Sequence, residues 1–339
     1  MKIAVLGAGS WGTALARLLA RKGLSVVLWA RRDNLAQEII IRRENPIYLP
    51  GIRLPETLKV TAHMDQALSG VEVIVLVVPS HGLRETLRIA RDMIPKGLRA
   101  VVSATKGIET ETLKRMSQVI EEEVPDLAAR VGVLSGPSFA TEVAQEVPTA
   151  VTVAAHLPEV AGLLQELFHT PFFRVYTTND VVGVELAGAL KNVMAIAAGI
   201  AEGLGFGTNT RAALITRGLA EISRLGLALG ANPLTFAGLA GLGDLVLTCT
   251  GTLSRNRQVG LRLGRGESLE AILASMKMVA EGVRTTKAAY RLAKAQAVEL
   301  PITEKVYEIL YQGKAPAQAV RELLSREPKP EMPHYMETM

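Results

Sequence analysis

Six residues near the N-terminus, Gly7-Ala8-Gly9-Ser10-Trp11-Gly12, limit the fold of this chain more than any other feature. They follow an apolar run, Ile3-Ala4-Val5-Leu6, and open a stretch of helical periodicity. In that context G-x-G-x-x-G marks the turn of a strand–turn–helix unit that binds a dinucleotide. Gly7 permits the tight turn, Gly9 lets backbone approach a pyrophosphate, and Gly12 lets helix and strand pack closely. N–H groups left free at the helix start then face the phosphates. The plain alternative is a glycine turn between a strand and a helix. A second β-rich run at 25–29 favours the dinucleotide reading.

Such a unit needs further strands beside it. Up to about residue 180, strand patterns at 3–6, 25–29, 58–61, 73–78, 100–104, 131–134, 150–153 and 174–176 alternate with helical patterns at 11–21, 81–93 and 112–123. This alternation predicts an open parallel sheet with right-handed crossovers. Beyond it only helical patterns follow, at 181–203, 210–229, 255–263, 269–275, 282–294, 302–310 and 315–324. The expected fold is an α/β Rossmann-type doubly wound sheet followed by an all-α C-terminal domain. We expect a dinucleotide-binding domain over 1–179, a helical substrate domain over 180–325 and a mobile tail over 326–339. A chain of 339 residues suits two cores, and 48% hydrophobic with 4% aromatic residues suits strands covered by Ala- and Leu-rich helices.

The formal charge is +5, yet no dense Lys/Arg stretch with interleaved aromatics is present, so nucleic acid is not the expected partner. An anionic cofactor and an anionic substrate account for the same excess. Cys249 is the single cysteine, which excludes an internal disulfide and suits a reducing compartment. The N-terminus lacks a signal-peptide pattern, so a cytoplasmic protein is expected. The one membrane candidate, 181–201, contains Glu185 and Lys191. Each charge would cost roughly 2.5–3.5 kcal/mol at a bilayer centre, so the segment reads as a core helix rather than a membrane span.

An NAD site wants an Asp or Glu at the end of the second strand. This chain has Arg31 and Arg32 there, with Asp33 only afterwards. A guanidinium pair at that edge would bind a 2′-phosphate, so NADPH is the expected cofactor, with NADH as the second option. Two solvated loop arginines are the bland alternative.

Ligands in open α/β sheets lie beyond the carboxyl ends of the strands. Lys106, in Ala104-Thr105-Lys106-Gly107, would reach an anion or carbonyl there, or is a surface lysine at a strand end. His81, after Val78-Pro79-Ser80, reads as a helix-starting surface residue. In Ser135-Gly136-Pro137-Ser138-Phe139-Ala140, Gly136 allows close approach, and Ser138 caps the next helix or donates to a ligand.

In the helical half, Lys191 lies in Leu190-Lys191-Asn192 on an almost wholly apolar helix. A buried ammonium needs a partner, and desolvation lowers its pKa from about 10.4 toward a value suited to a proton donor. A structural pair with Glu185 or a snorkelling side chain would explain it without function. Asp244, in Gly241-Leu242-Gly243-Asp244-Leu245, is a candidate partner for Lys191, or a cap. Ser254-Arg255-Asn256 starts a helix and would cradle a phosphate, unless it is a plain capped helix. Glu281, after Val279-Ala280, would by itself pass as a first-turn acid.

Taken in order, these stretches resemble the bacterial-type NAD(P)-dependent glycerol-3-phosphate dehydrogenases, from residue 1 to about 325. The resemblance implies reversible reduction of dihydroxyacetone phosphate to sn-glycerol 3-phosphate, the starting block of phospholipids. It makes Lys191 the acid/base residue. It places Lys106, Gly136, Ser138, Asp244, Ser254, Arg255 and Asn256 around the substrate. Gly7, Gly9, Ser10, Trp11, Gly12, Arg31, Arg32, Tyr48, Lys106, Ala140, Arg255, Val279 and Glu281 would hold the cofactor. No metal is expected. The oligomeric state stays open, a homodimer being one option. Two other readings compete: a β-hydroxyacid or 6-phosphogluconate-type dehydrogenase, which would need groups for a carboxylate, and a non-catalytic NADPH sensor, which would need no proton donor.

Overall fold

A computed structural model describes residues 1–276, 280–328 and 330–331. Its strands are β1 (Lys2–Leu6), β2 (Ser25–Trp29), β3 (Glu44–Asn45), β4 (Leu49–Arg53), β5 (Lys59–Thr61), β6 (Val73–Leu76), β7 (Ala100–Ser103), β8 (Val131–Ser135), β9 (Thr149–Ala155) and β10 (Phe173–Thr178). Strands β3 and β4 pair as a separate antiparallel ribbon. The rest form one eight-stranded sheet ordered β10-β9-β8-β7-β6-β1-β2-β5.

Helices α1 (Ser10–Arg21), α2 (Asp33–Arg42), α3 (Met64–Leu68), α4 (Leu83–Ala90), α5 (Met116–Glu123), α6 (Ala140–Ala144) and α7 (Pro158–Phe168) lie among these strands. Both faces of the sheet are covered, which is why its strands read as continuous apolar runs. Side chains alternate between faces. Ile3 and Val5 of β1 enter one core, with Leu15, Leu19 and Leu164. Ala4 and Leu6 enter the other, with Leu68, Leu87 and Ile120.

The remaining helices are α8 (Val181–Gly203), α9 (Thr208–Ala228), α10 (Pro233–Ala237), α11 (Asp244–Thr250), α12 (Arg255–Gly264), α13 (Leu269–Ser275), α14 (Glu281–Ala295), α15 (Pro301–Gln312) and α16 (Pro316–Leu324). Asp180 caps α8, its carboxylate accepting from Gly183 N–H. Helix α8 is apolar on every side because α9, α11, α12 and α14 pack around it. By length and composition it alone among the described helices is long and apolar enough to cross a membrane, and 94% of that stretch is buried within the protein. Its closest neighbour is α12. A Cβ on Gly260 would overlap the Ile196 carbonyl, and one on Gly199 the Arg257 carbonyl, so glycines let the two backbones touch.

The structure departs from the sequence expectations in four respects. The sheet is mixed, since β8 and β9 pair antiparallel while β9 and β10 are parallel to each other. A parallel return needs a crossover long enough to span the sheet. The five-residue α6 rises only about 7.5 Å, so the chain re-enters from the edge it left. The segment 112–123 becomes helical only at Met116, after an antiparallel bridge between Ile108 and Arg115. The stretch 81–93 is α4 flanked by 3₁₀ turns rather than one helix. Helices α2, α3, α7 and α10 and the β3–β4 ribbon were not anticipated, α3, α10 and the ribbon strands being only two to five residues long.

Candidate active site

Loops leave the carboxyl ends of β6, β7 and β8 side by side. Thr105 Oγ1 donates to Val78 O (2.9 Å), tying the β7 loop to the β6 loop. Helix α8 crosses these ends at Gly188, where a Cβ would lie 2.6 Å from Ser135 Oγ and 4.0 Å from Lys106 Cδ. Lys191 stands three residues further along the same face and is therefore delivered to the same place.

Asp244 comes from the other direction. Residues Leu239–Gly243 form a π-helical turn, and Asp244 opens α11 directly after it. Gly241 is needed there because a Cβ would overlap the Phe236 backbone. Thr248 falls one turn beyond Asp244 on the same face.

Two lysines meet on that one carboxylate. Lys191 Nζ donates to Asp244 Oδ1 and to Thr248 Oγ1 (3.0 Å). Lys106 Nζ donates to Asp244 Oδ2 (2.8 Å) and more weakly to Gly136 O (3.5 Å). Thr248 Oγ1 donates to Asp244 O (2.6 Å). Asp244 is 0% exposed and Lys191 only 7%. Burial lowers the Lys191 pKa, Asp244 opposes this, and the like charge of Lys106 adds to the lowering; the ammonium comes down to about 7. Burial alone would raise the Asp244 carboxyl, but Lys106 and Lys191 outweigh it and hold the group below its ordinary value. The result is one carboxylate, one cation and one amine poised near neutrality. Glu185 is not the partner of Lys191: it accepts from Arg115 Nη1 (2.6 Å), Ser117 Oγ (2.6 Å) and Ser117 N–H (2.7 Å).

Ser138 does not cap a helix. Its Oγ donates to Gly136 O (2.9 Å), and α6 begins after Phe139 without a side-chain cap.

At the fingerprint, Gly7 has φ +121°, and a Cβ there would lie 2.6 Å from Val77 O. A Cβ on Gly12 would overlap the Gly7 carbonyl, whereas one on Gly9 would meet nothing within 4 Å. Open space thus lies over the N-terminus of α1, where no side chain caps the helix. Ser10 Oγ donates to Tyr48 O (2.5 Å). Trp11 packs with Ala140 against the Ala14–Leu49 cluster, and its buried Nε1 has no acceptor. Arg32 Nη2 donates to Tyr48 OH (3.0 Å), with its guanidinium 5.7 Å from the ring centre. Arg31 is exposed. A glycine cradle, uncapped N–H groups, an orphaned indole N–H and two guanidinium groups together fit a dinucleotide phosphate.

Ser254 caps α12, accepting from Arg257 N–H (3.3 Å), while Arg257 pairs with Glu202 (2.7 Å). Arg255 is the first residue of α12. Asn256 is more committed than the sequence suggests. Its Nδ2 donates to Asn192 Oδ1 (2.9 Å), and its Oδ1 accepts from Gly282 N–H (2.9 Å), linking α8, α12 and α14. Glu281 opens α14 and accepts from Ser80 Oγ (2.7 Å). Val279 lies outside the described residues. Lys106, Gly136, Ser138, Lys191 and Asp244 therefore form one hydrogen-bonded group, and Asn256 and Glu281 belong to a neighbouring one around the start of α14. The sequence reading omitted Thr248, Asn192 and Ser80. Thr248 was findable four residues after Asp244, Asn192 as the polar residue beside Lys191 on an apolar helix, and Ser80 as part of the Val78-Pro79-Ser80-His81 loop at a strand end.

Residues 2–161 match the family described as NAD-dependent glycerol-3-phosphate dehydrogenase N-terminus, and residues 180–321 its C-terminus. The glycerol-3-phosphate dehydrogenase [NAD(P)+] of Geobacter metallireducens is 57% identical over 331 residues, 97% of this chain and 98% of that protein. Its counterpart from Nitratidesulfovibrio vulgaris Hildenborough is 55% identical over 327 residues, 96% and 99% of the two chains. The crystal structure of glycerol-3-phosphate dehydrogenase from Coxiella burnetii superposes with a TM-score of 0.92 at 43% identity, covering 96% of this chain and 99% of that one.

Proposed function

The chain belongs to the NAD-dependent glycerol-3-phosphate dehydrogenase family, and from that premise we propose how its own residues carry the reaction. The enzyme reduces dihydroxyacetone phosphate reversibly to sn-glycerol 3-phosphate with NAD(P)H, a step that supplies glycerophospholipid synthesis. When bound, the reduced nicotinamide supplies the hydride that adds to C2.

Lys191 is the catalytic acid. With a pKa of about 7 its Nζ carries a proton for much of the time at neutral pH and gives it up readily. That proton goes to the oxygen on C2 as negative charge develops there. In the reverse direction the neutral amine takes it back. Asp244 and Thr248 hold Nζ from two sides, so the amine pays little orientational entropy at the moment of transfer. Lys106 brings a second ammonium group beside the same oxygen and stabilises it electrostatically. Gly136 and Ser138 form the adjoining wall of the substrate site. The substrate phosphate lies at the N-terminus of α12, where Ser254, Arg255 and the remaining N–H of Asn256 face it. Binding energy from that distant phosphate positions C2.

Gly7, Gly9, Gly12, Ser10, Trp11, Arg31, Arg32, Tyr48, Lys106, Ala140, Arg255, Val279 and Glu281 hold the cofactor, NADPH in preference to NADH. The chain divides at residue 179 into a cofactor part and a substrate part. A cytoplasmic location agrees with one buried, unpaired cysteine.

One observation carries the catalytic assignment: two lysines from opposite halves of the chain share a single buried carboxylate where the strands end. Lys191→Met tests it. Turnover of dihydroxyacetone phosphate should fall by roughly 10²–10⁴-fold, the share attributable to general acid catalysis, while NADPH binding followed by nucleotide fluorescence stays near normal. Turnover close to that of the unaltered enzyme would remove Lys191 from the mechanism.

A further inference from the structure

Helix α14 is stitched to the sheet half at two points. In its second half the exposed Arg291 donates from Nη1 to Thr110 O (2.7 Å). At its start Glu281 accepts from Ser80 Oγ (2.7 Å), 201 residues away in sequence, in the turn that follows β6. This contact is the more deeply set. Ser80 is only 3% exposed, and Gly107 makes room for it, since a Cβ there would lie 2.7 Å from Ser80 Oγ. The loop that carries Ser80 is itself braced, with Val78 O accepting from Thr105 Oγ1 (2.9 Å) and Val77 O packed against Gly7 of the fingerprint. Burial raises the Glu281 carboxyl above its ordinary value, and its bonding to Ser80 is the largest influence opposing that rise.

The line of contacts continues past Glu281. The next residue, Gly282, donates its N–H to Asn256 Oδ1 (2.9 Å), and Asn256 Nδ2 donates to Asn192 Oδ1 (2.9 Å). Only glycine fits at 282, because a Cβ would sit 2.7 Å from Asn192 O and 2.8 Å from Asn256 Oδ1. An Asn side chain carries an oxygen on one side and two N–H groups on the other. Gly282 fixes the oxygen of Asn256, and Asn192 takes one N–H. The second N–H is thereby aimed at the start of α12. The Gly282 N–H is one of the donors that a helix start leaves without an intrahelical partner, so its aim follows from how the first turn of α14 is anchored. Ser80 anchors it.

We propose that Ser80 is a positioning residue for the substrate phosphate: by anchoring Glu281 it sets Gly282 N–H against Asn256, and so turns the remaining Asn256 N–H toward the phosphate without touching the substrate. This rests on the assignment of the α12 N-terminus to that phosphate and deepens it. Recognition of the phosphate in the helical half then answers to a turn of the sheet half that borders the dinucleotide fingerprint. Without the Ser80 hydroxyl, the half-buried Glu281 carboxylate loses its donor and moves toward water, and Gly282 moves with it.

The test compares kcat/KM for dihydroxyacetone phosphate with that for dihydroxyacetone, which has no phosphate, in the full chain at saturating NADPH. The variants are Ser80→Ala, Asn256→Ala, the two combined, and Arg291→Ala, with thermal melting to check the fold of each. In Ser80→Ala we expect kcat/KM for the phosphorylated substrate to fall about tenfold, as for one charge-assisted hydrogen bond, through KM rather than kcat. Turnover of dihydroxyacetone should not change, because it never uses the phosphate cradle. Added to Asn256→Ala, the Ser80 change should cost less than about twofold more, since it acts through that amide. Arg291→Ala, which removes the other stitch of α14, should leave both substrates unaffected. Equal slowing of both substrates in Ser80→Ala, the same loss in Arg291→Ala, or full additivity with Asn256→Ala would each overturn the inference while the phosphate assignment stands. An Asn256→Ala enzyme that keeps its preference for the phosphorylated substrate overturns the assignment and the inference together.

Discussion

Replacing Asp244 by Asn exposes the electrostatics of the site most directly. The side chain keeps its size but loses the charge that holds two ammonium groups, Lys106 Nζ at 2.8 Å and Lys191 Nζ on the other oxygen. An ion pair at about 4 Å with an effective dielectric near 20 is worth about 4 kcal/mol. At 1.36 kcal/mol per pK unit this equals about three units, of which about two should survive relaxation of the lysines. Asp244 is the largest influence raising the Lys191 pKa against burial. Its loss should therefore take that value from about 7 to roughly 5, the nearby Lys106 charge now being unopposed. The sign is fixed: protonated Lys191 becomes scarcer at every pH in between. At pH 7 the protonated fraction should fall from about a half to about one in a hundred. The assay is the pH profile of kcat/KM for dihydroxyacetone phosphate, followed by loss of reduced-nicotinamide absorbance, which reports the free enzyme's pKa. The descending limb for reduction and the ascending limb for oxidation should move down together. A midpoint that stays within about half a unit, or that rises, would refute the reasoning.

Two further outcomes concern stability. Burial raises the Glu221 carboxyl to about 7 although it accepts from Ile302 N–H (2.6 Å), Thr303 N–H (3.1 Å) and Thr303 Oγ1 (3.1 Å). Its folded value exceeds the unfolded one, so its contribution is complete below about pH 4.5 and is lost as pH rises through about 7, up to about 3 kcal/mol. Denaturant melts of Glu221→Gln should show a flatter stability slope across that window; an unchanged slope refutes the assignment. In Gly260→Ala the new methyl meets the Ile196 carbonyl of α8, and we expect a loss of at least about 2 kcal/mol by the same melts. An unaltered midpoint would show that α8 and α12 separate freely.

How much of this was legible beforehand depends on the range of the interaction responsible. Strands β1, β2, β6, β7 and β8 and the helices α1, α8 and α13 follow from local pattern: a period of two or a continuous apolar run, a period of 3.6, and a glycine where the chain turns. The fingerprint disclosed a dinucleotide site for the same reason, since its glycines answer to their own backbone and to near neighbours. Lys191 stood out because a lone ammonium in an apolar helix is costly wherever that helix ends up. Short elements such as α3 and α10 escaped notice because five residues seldom complete a recognisable period.

Sequence alone thus settled a strand–helix alternation up to about residue 180 followed by helices, the phosphate-binding turn and the anomaly of a charged residue in an apolar segment. Only the tertiary structure decided that β9 runs backwards, that Lys106 and Lys191 share Asp244 across 138 and 53 residues, and that Asn256 ties α8 to α14. The reason is physical. Backbone sterics and hydrophobic periodicity act within a few residues and leave their mark in composition, whereas the partner of a buried charge is set by how α8 lies on the sheet, through packing at Gly188 that no local pattern encodes.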